Sequence, residues 1–253
     1  MPTFQHGKGS KVYLDEFDMS AYLQASDVGF DQDTADVTTY GATSRAFIAS
    51  QASGTLSLSG LVDATNTAGT SDKEFQAILG STTHPLLTVA IEGGTIGNRA
   101  VIARANETSY TMATPVADVN SLTADFQCSA DPANNVDFGV ASAVQLTTGA
   151  SIAHGSLGNL ASVDNSASSA NGGAALLHVP TNTVGGGATT IKVQHSANDS
   201  VWADLVTFTA VGASTITSQL SAVTGTVNRY LRVTASTAGS SGAITFMVSF
   251  ARF

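Results

Sequence analysis

The sequence predicts a mainly β chain in two parts: two packed β-sheets with one short flanking helix over residues 1–147, then a small β-sandwich over residues 148–253. Three observations carry this. Several segments alternate apolar and polar residues with the period of two that a half-buried strand requires. One segment, Ser71 to Leu79, shows helical spacing. Between Thr147 and Gly173 the composition shifts to Ser, Ala, Gly and Asn, with Ile152, Leu157, Leu160 and Val163 as apolar anchors, and such a shift marks a boundary.

In order, Lys11 to Leu14 reads as a strand, with a turn at Asp15 to Asp18 and Asp18 placed to cap a helical turn through Leu23. Asp27 to Asp63 reads as two extended arms joined by a long polar loop, Thr34 to Ile48. In the second arm Leu56 and Leu58 point one way while Thr55, Ser57 and Ser59 point the other. The first arm carries Asp27, Asp31, Asp33 and Asp36, with no base before Arg45. Residues two apart share a strand face, so Asp31 and Asp33 stand side by side. Carboxylates are rarely buried without partners, so this ribbon has an acidic face that meets something wet.

The helix Ser71 to Leu79 has Ser71 and Glu74 at capping-box spacing, a Phe75, Ile78 and Leu79 stripe, and Gly80 as its left-handed stop. At about two turns it needs a sheet beneath it. Leu86 to Ile91 is the next strand, and Arg99 to Tyr110 with Asp118 to Ser129 form a hairpin around Thr114-Pro115. In its second strand Leu122, Ala124, Phe126 and Cys128 are apolar, against a polar face that includes Asp125. Beyond the boundary, strands are expected at Ala174–Val179, Thr190–His195, Leu205–Thr209, Ser214–Leu220, Tyr230–Ala235 and Ile244–Phe250, with turns at Gly185-Gly186-Gly187 and Gly239 to Gly242. That spacing describes a small sandwich.

Charged residues are only 11% of the chain while 43% is apolar, which argues against disorder. The net charge of -9 is uneven: residues 1–149 hold 16 acids and 6 bases, residues 150–253 hold 3 acids and 4 bases. An acidic first part does not grip nucleic acid, because phosphate affinity comes from Lys and Arg; a like-charged wall repels DNA without binding it. Cys128 is alone, so the chain has no internal disulfide framework. The longest apolar candidate, Pro85 to Ile91, is too short to span a bilayer. The start MPTFQHGKGSKVYLDE lacks the apolar core of a signal peptide, so the expectation is a protein made and kept soluble in the cell until release.

Chemistry is sparse. His6, His84, His154, His178 and His195 show no paired metal spacing, and His178 and His195 read as satisfied strand residues. Cys128 reads as a buried, inert thiol. HGKGSK lacks phosphate-loop spacing, and Asp31 with Asp33 has no accompanying groups for hydrolysis. Trp202, after the Asn198-Asp199 turn, is expected to pack the sandwich, the alternative being a sugar-stacking platform. No cofactor, metal site or catalytic residue is expected.

HGKGSKVYLDEFDMSAYL, ADVTTYG (Ala35 to Gly41), GTLSLSGLVD and ETSYTMATPVADV (Glu107 to Val119), in that order, resemble the major tail proteins, or tail tube subunits, of long-tailed siphophages over roughly residues 1–145. The stretches QHSANDSVWADLVTFTAV, GTVNRYLRV and FARF resemble an extra β-sandwich domain that follows the tube domain in some of them. The resemblance implies a virion protein of the tail, assembled in the host cytoplasm as hexameric rings that stack into a tube. Tape measure protein would fill the lumen, and double-stranded DNA would pass without tight binding and without membrane insertion. The alternation and acidity then make Asp31, Asp33, Asp36 and Asp125 lumen candidates, and Tyr40, Arg45 and Phe47 inter-ring contacts. The second part is expected to project outward and to be dispensable for tube closure. Other readings are a capsid decoration or other virion surface protein, and a carbohydrate-binding module in residues 150–253.

Overall fold

A computed structural model describes residues 7–130 and 139–253; His6 falls outside them. The chain opens with a hairpin of β1 (Lys11–Leu14) and β2 (Phe17–Asp18), followed by two long strands, β3 (Leu23–Asp36) and β4 (Phe47–Leu61). After helix α1 (Ser71–Ile78) come β5 (Leu86–Ala90), β6 (Arg99–Ala113), β7 (Ser121–Cys128) and β8 (Val140–Gln145). The second half holds β9 (Ser151–Ala153), β10 (Val163–Asp164), β11 (Gly173–Asn182), β12 (Thr189–Ser196), β13 (Ala203–Thr207), β14 (Thr217–Val223), β15 (Tyr230–Thr237) and β16 (Ala243–Arg252). The fold is mainly β with one α-helix among the described residues, as the alternation predicts.

Local details differ from expectation for identifiable reasons. The segment after Asp18 is a turn rather than a helix: Asp18 Oδ1 accepts from the Ser20 N–H at 3.0 Å, and β3 starts at Leu23. The Ser71/Glu74 capping box does not form. Thr70 is the N-cap, Glu74 Oε1 accepts from the Gly69 N–H at 2.7 Å, and Ser71 Oγ donates to the Leu61 carbonyl at 2.9 Å, tying the helix to the end of β4. Gly80 takes the left-handed conformation that stops the helix, with φ of 75°.

β6 belongs to two sheets. Residues Ala100–Arg104 pair with β5, and Ala105–Ala113 pair with β7. The first core lies between β1-β5-β6 and β4-β7, where Val12, Leu14, Leu87 and Val101 meet Leu56, Leu58, Leu122 and Phe126, with Phe75 of α1 closing one end. The second lies between β14-β11-β16 and the four-stranded sheet β10-β15-β12-β13, filled by Leu177, Ile191, Val193, Leu231, Val233, Phe246 and Phe250.

The strand order β14-β11-β16-β8-β6-β5-β1-β2 makes one continuous sheet across the sequence boundary. β1 and β11 are five steps apart in it, about 24 Å in a flat sheet. Yet Tyr13 and His178 stack with ring centroids 5.5 Å apart. The sheet therefore folds back on itself, at a corner where β8 and β16 share only Gln145↔Ser249 and Val144↔Phe250. The result is four layers: β3-β4-β7-β6, then β1-β5-β6-β8, then β14-β11-β16, then β10-β15-β12-β13.

The two middle layers are buried on both faces. Ala100, Ile102 and Ala143 meet Leu176 and Ala251 across the seam, and Tyr13 and Ala90 meet Met247. His178 is fully buried there. Its Nδ1–H donates to the Asp15 carbonyl, so Nε2 carries no proton and accepts from Thr88 Oγ1 at 2.8 Å. Burial pushes its pKa down to about 4, so the ring is neutral. Asp15, whose carboxylate accepts from the Leu86 N–H at 2.8 Å, is pushed up to about 6 by the same burial. The division at residue 147 thus falls inside a shared sheet, and Thr147 itself accepts from the Val248 N–H at 2.8 Å. The second half does not project freely; it covers the back of the first.

Coupling across the seam is measurable. Ile102→Ala, a change in the first half, should lower stability by about 2–4 kcal/mol and shift the urea midpoint of Trp202 fluorescence, the chain's only Trp, in the second half. An unmoved Trp202 transition would make the halves independent folding units.

Candidate assembly surface

The outer layer β3-β4-β7-β6 is antiparallel throughout, so its four strands alternate in direction. Among the described residues β3 pairs only with β4, and β6 from Ala105 to Ala113 pairs only with β7. The layer thus has two open edges whose strands run in opposite directions. One face is core. The other presents cross-strand rows of polar residues, including Asp27, Ser57, Asp125 and Ser109 in register. Ser57 Oγ donates to one oxygen of Asp125 at 2.6 Å and Ser109 Oγ to the other at 2.8 Å. These bonds hold the Asp125 carboxyl below its ordinary pKa, so it is a fixed negative charge on the polar face.

β4 pairs with β7 only from Thr55 to Leu61, so beyond Phe30 and Gly54 the β3–β4 ribbon continues by itself. From Phe30 to Asp36 it reaches about 20 Å past the sheet at some 3.3 Å per residue. Gly54 sits at its root because a Cβ there would meet Val140 Cγ1 at 2.1 Å. The strands extend further than expected: Thr34, Ala35 and Asp36 pair with Ala49, Ile48 and Phe47, and Val37 N–H reaches the Ala46 carbonyl at 2.9 Å. Thr34 to Ile48 is therefore not all loop; only the segment between Asp36 and Phe47 is.

The register assigns faces. Asp31 shares the polar face with Asp27 and Asp125, and Asp33 follows two residues on, opposite an extra residue in β4. Asp36 pairs with Phe47 on the other face, where its carboxylate accepts from the Thr38 N–H at 2.8 Å and is held below its ordinary pKa by Thr38. Of the four acidic candidates, the structure therefore groups Asp31, Asp33 and Asp125 and separates Asp36. Tyr40 and Arg45 lie in the tip loop, Tyr40 fully exposed at 110%, while Phe47 is on the strand, 53% exposed. Phe30, Val37 and Ile48 add exposed apolar surface to the same ribbon. Alternation placed Ser57 on the polar face and the sequence showed Asp27 in the acidic arm, but Ser109 and the row that joins these residues to Asp125 arise only from register.

Glu107, on the inward side of β6, is 7% exposed, and neither carboxylate oxygen has a hydrogen-bond partner. Burial pushes its pKa up to about 8. Cys128 is half-buried against the first core and pushed up to about 11, an unreactive thiol near neutral pH. Trp202 is not in the sandwich core as expected. It lies on the outer face with the Arg232 guanidinium 4.1 Å over its ring, and Arg232 donates to Gln194 at 2.9 Å. A ring covered in this way on one side is a poor sugar platform. Among the described residues there is no group of three His, Cys, Asp or Glu able to hold a metal, and no helix long and apolar enough to cross a membrane.

No protein-family model and no curated protein matches the chain. Among solved structures it is similar to a chain of the virion of a native gene transfer agent particle, at 20% identity and a TM-score of 0.40, over 51% of this chain and 96% of that one. It is similar to the anti-feeding prophage cap that terminates the tube, at 12% identity and a TM-score of 0.43, over 57% and 93%. To the SPP1 tail tube the values are 9% identity and a TM-score of 0.38, over 48% and 74%.

The state of Glu107 can be read from stability. The folded chain holds its proton up to about pH 8, whereas an unfolded chain releases it near 4.5. The native state therefore binds the extra proton between those values, and this contribution to stability is lost as pH rises through that window. Glu107→Gln should flatten the fall in urea midpoint between pH 5 and pH 8; an unchanged slope would mean the carboxyl is ionised in the fold.

Proposed function

We propose that the chain is the structural subunit of a phage-type tail tube, of the long-tailed siphophage kind that its ordered motifs resemble. One observation carries this reading: a four-stranded sheet with a polar face, two open edges of opposite direction, and a ribbon extending beyond it. Open edges invite pairing. Because the layer has an even number of alternating strands, the β3 of one copy runs antiparallel to the β6 of the next. A rotation repeated around an axis, in hexameric rings on this reading, continues the ladder until the barrel closes and no edge remains.

The polar face then lines the lumen, with Asp27, Asp31, Asp33 and Asp125 as a wall that repels DNA within a Debye length of about 8 Å at physiological salt. Tape measure protein would occupy the lumen before DNA passes to the host. Asp36, on the opposite ribbon face, would sit toward the ring-to-ring contact with Tyr40, Arg45 and Phe47. The fourth layer, farthest from this wall, would form the outside of a tail assembled in the host cytoplasm, and the chain would have no catalytic role.

The ribbon supplies the test. Purified full-length chain should form rings and tubes by negative-stain microscopy. Tyr40→Ser with Phe47→Ser removes two aromatics worth on the order of 2 kcal/mol each when buried, and should stop stacking. Its monomer should unfold at nearly the wild-type temperature, since both rings are exposed in the single chain. Normal tubes from this variant would remove the ribbon from assembly, and monomers alone from wild-type chain at every concentration would overturn the tube reading.

A further inference from the structure

We propose that the two ends of the first half are complementary, and that the β6–β7 loop of one copy docks in the groove beside β3 of another. The proposal takes its setting from the tube reading and goes beyond it in naming the contact. Strand directions define the two poles. At one lie the start of β1, the end of β5, the start of β6 and the ribbon; at the other lie the β1–β2 turn and residues 114–120 between β6 and β7.

At the ribbon pole the first sandwich is open on its β3 side. A groove of about 900 Å³ runs along the inward face of β3 from Leu23 to Val28 and Phe30, with the buried Val12 on its floor. At its ribbon end Phe30 and Ile91 are exposed, at 49% and 41%, and Lys8 and Arg99 stand in its wall. They are two of only six bases in residues 1–149. At the opposite pole Val116 is 108% exposed and Val119 61% exposed, with Asp118 between them. Glu16 and Asp63 add negative charge at that pole.

Each patch is an apolar surface that a lone chain leaves in water. Together they match in both respects that set a contact: valines against an apolar groove, and an acid against the basic wall. Opposite charge steers the encounter and fixes register, while the apolar burial holds it. Because the patches lie at opposite poles of one chain, the contact is heterologous and repeats along an axis without using itself up. It adds to the ribbon a second, independent tie between successive copies.

Cysteine pairing tests this without depending on tubes. Val116→Cys chain is mixed with Ile91→Cys chain under mild oxidation, with Ser236→Cys chain, altered on the far layer, as the control partner. The Val116–Ile91 disulfide heterodimer should exceed the control by about tenfold, the ratio that 1.4 kcal/mol of docking preference would give. Separately, Asp118→Lys should raise the concentration needed for association, and Asp118→Lys combined with Lys8→Glu and Arg99→Glu should restore it. Wild-type tubes with no excess of the cross-link would overturn the docking while leaving the tube reading intact. The cross-link without tubes or rings would support the docking and overturn the tube reading. Failure of the charge exchange to restore association would overturn the assigned register.

Discussion

Burial of the two middle layers on both faces is the constraint on which the rest of the structure depends. β1, β5 and β6 send Val12, Leu87 and Val101 into one core, and Tyr13, Ala90 and Ile102 into the seam. β11 and β16 do the same with Leu177 and Phe246 on one side and Leu176 and Met247 on the other. Strands of this kind cannot face water, so each needs a sheet on either side. Four layers are the smallest stack that satisfies two such strand sets, with polar faces left only at the outermost sheets. The seam tolerates little polarity: His178 is hydrogen-bonded through both ring nitrogens, while the buried Tyr13 hydroxyl beside it has no partner.

The outer layer inherits its character from this arrangement. Its inward face is committed to the first core, which frees the outward face to be Ser, Thr, Asp and Gln. The ribbon has no such backing. A two-stranded hairpin is marginal in water without a covering surface, and this one carries exposed Phe30, Phe47 and Ile48 together with its acids. Irregular pairing near Gln32 and the run of Asp residues are devices that keep an edge from pairing indiscriminately. A ribbon both apolar and guarded suits a specific partner better than solvent.

The same side-chain type is put to opposite uses a few residues apart. Asp125 faces outward and receives two hydroxyl hydrogen bonds, which favour its charge. Glu107 faces inward and receives none, so burial favours its neutral form. Among the described residues, Asp27, Asp31 and Asp125 share the polar face and Glu16, Asp63 and Asp118 lie at one pole, while at the other Lys8 and Arg99 line the groove and Glu92, held by Asn98, stands beside them.

Much of this was legible in the sequence. Alternation located β7 and β16, and the glycine stop located the end of α1. These signals are local, set by the period of a strand or the geometry of a turn, and a single chain segment carries them. Short β8, β9 and β10 were not legible, because two to six residues carry too little periodicity. Nor was the seam: Ala100, Ile102 and Leu176 look like ordinary strand residues, and only the fold-back of the sheet makes them a buried face. Register decided which acids stand together across strands, bringing Asp27 into one row with Asp125 through Ser57, because a strand's neighbours are set by pairing across distant segments. The parting of Asp36 from Asp33, three residues away, already follows from the strand period. Sequence determined which residues prefer water and which avoid it; tertiary structure decided which of them meet, since that depends on contacts no local pattern encodes.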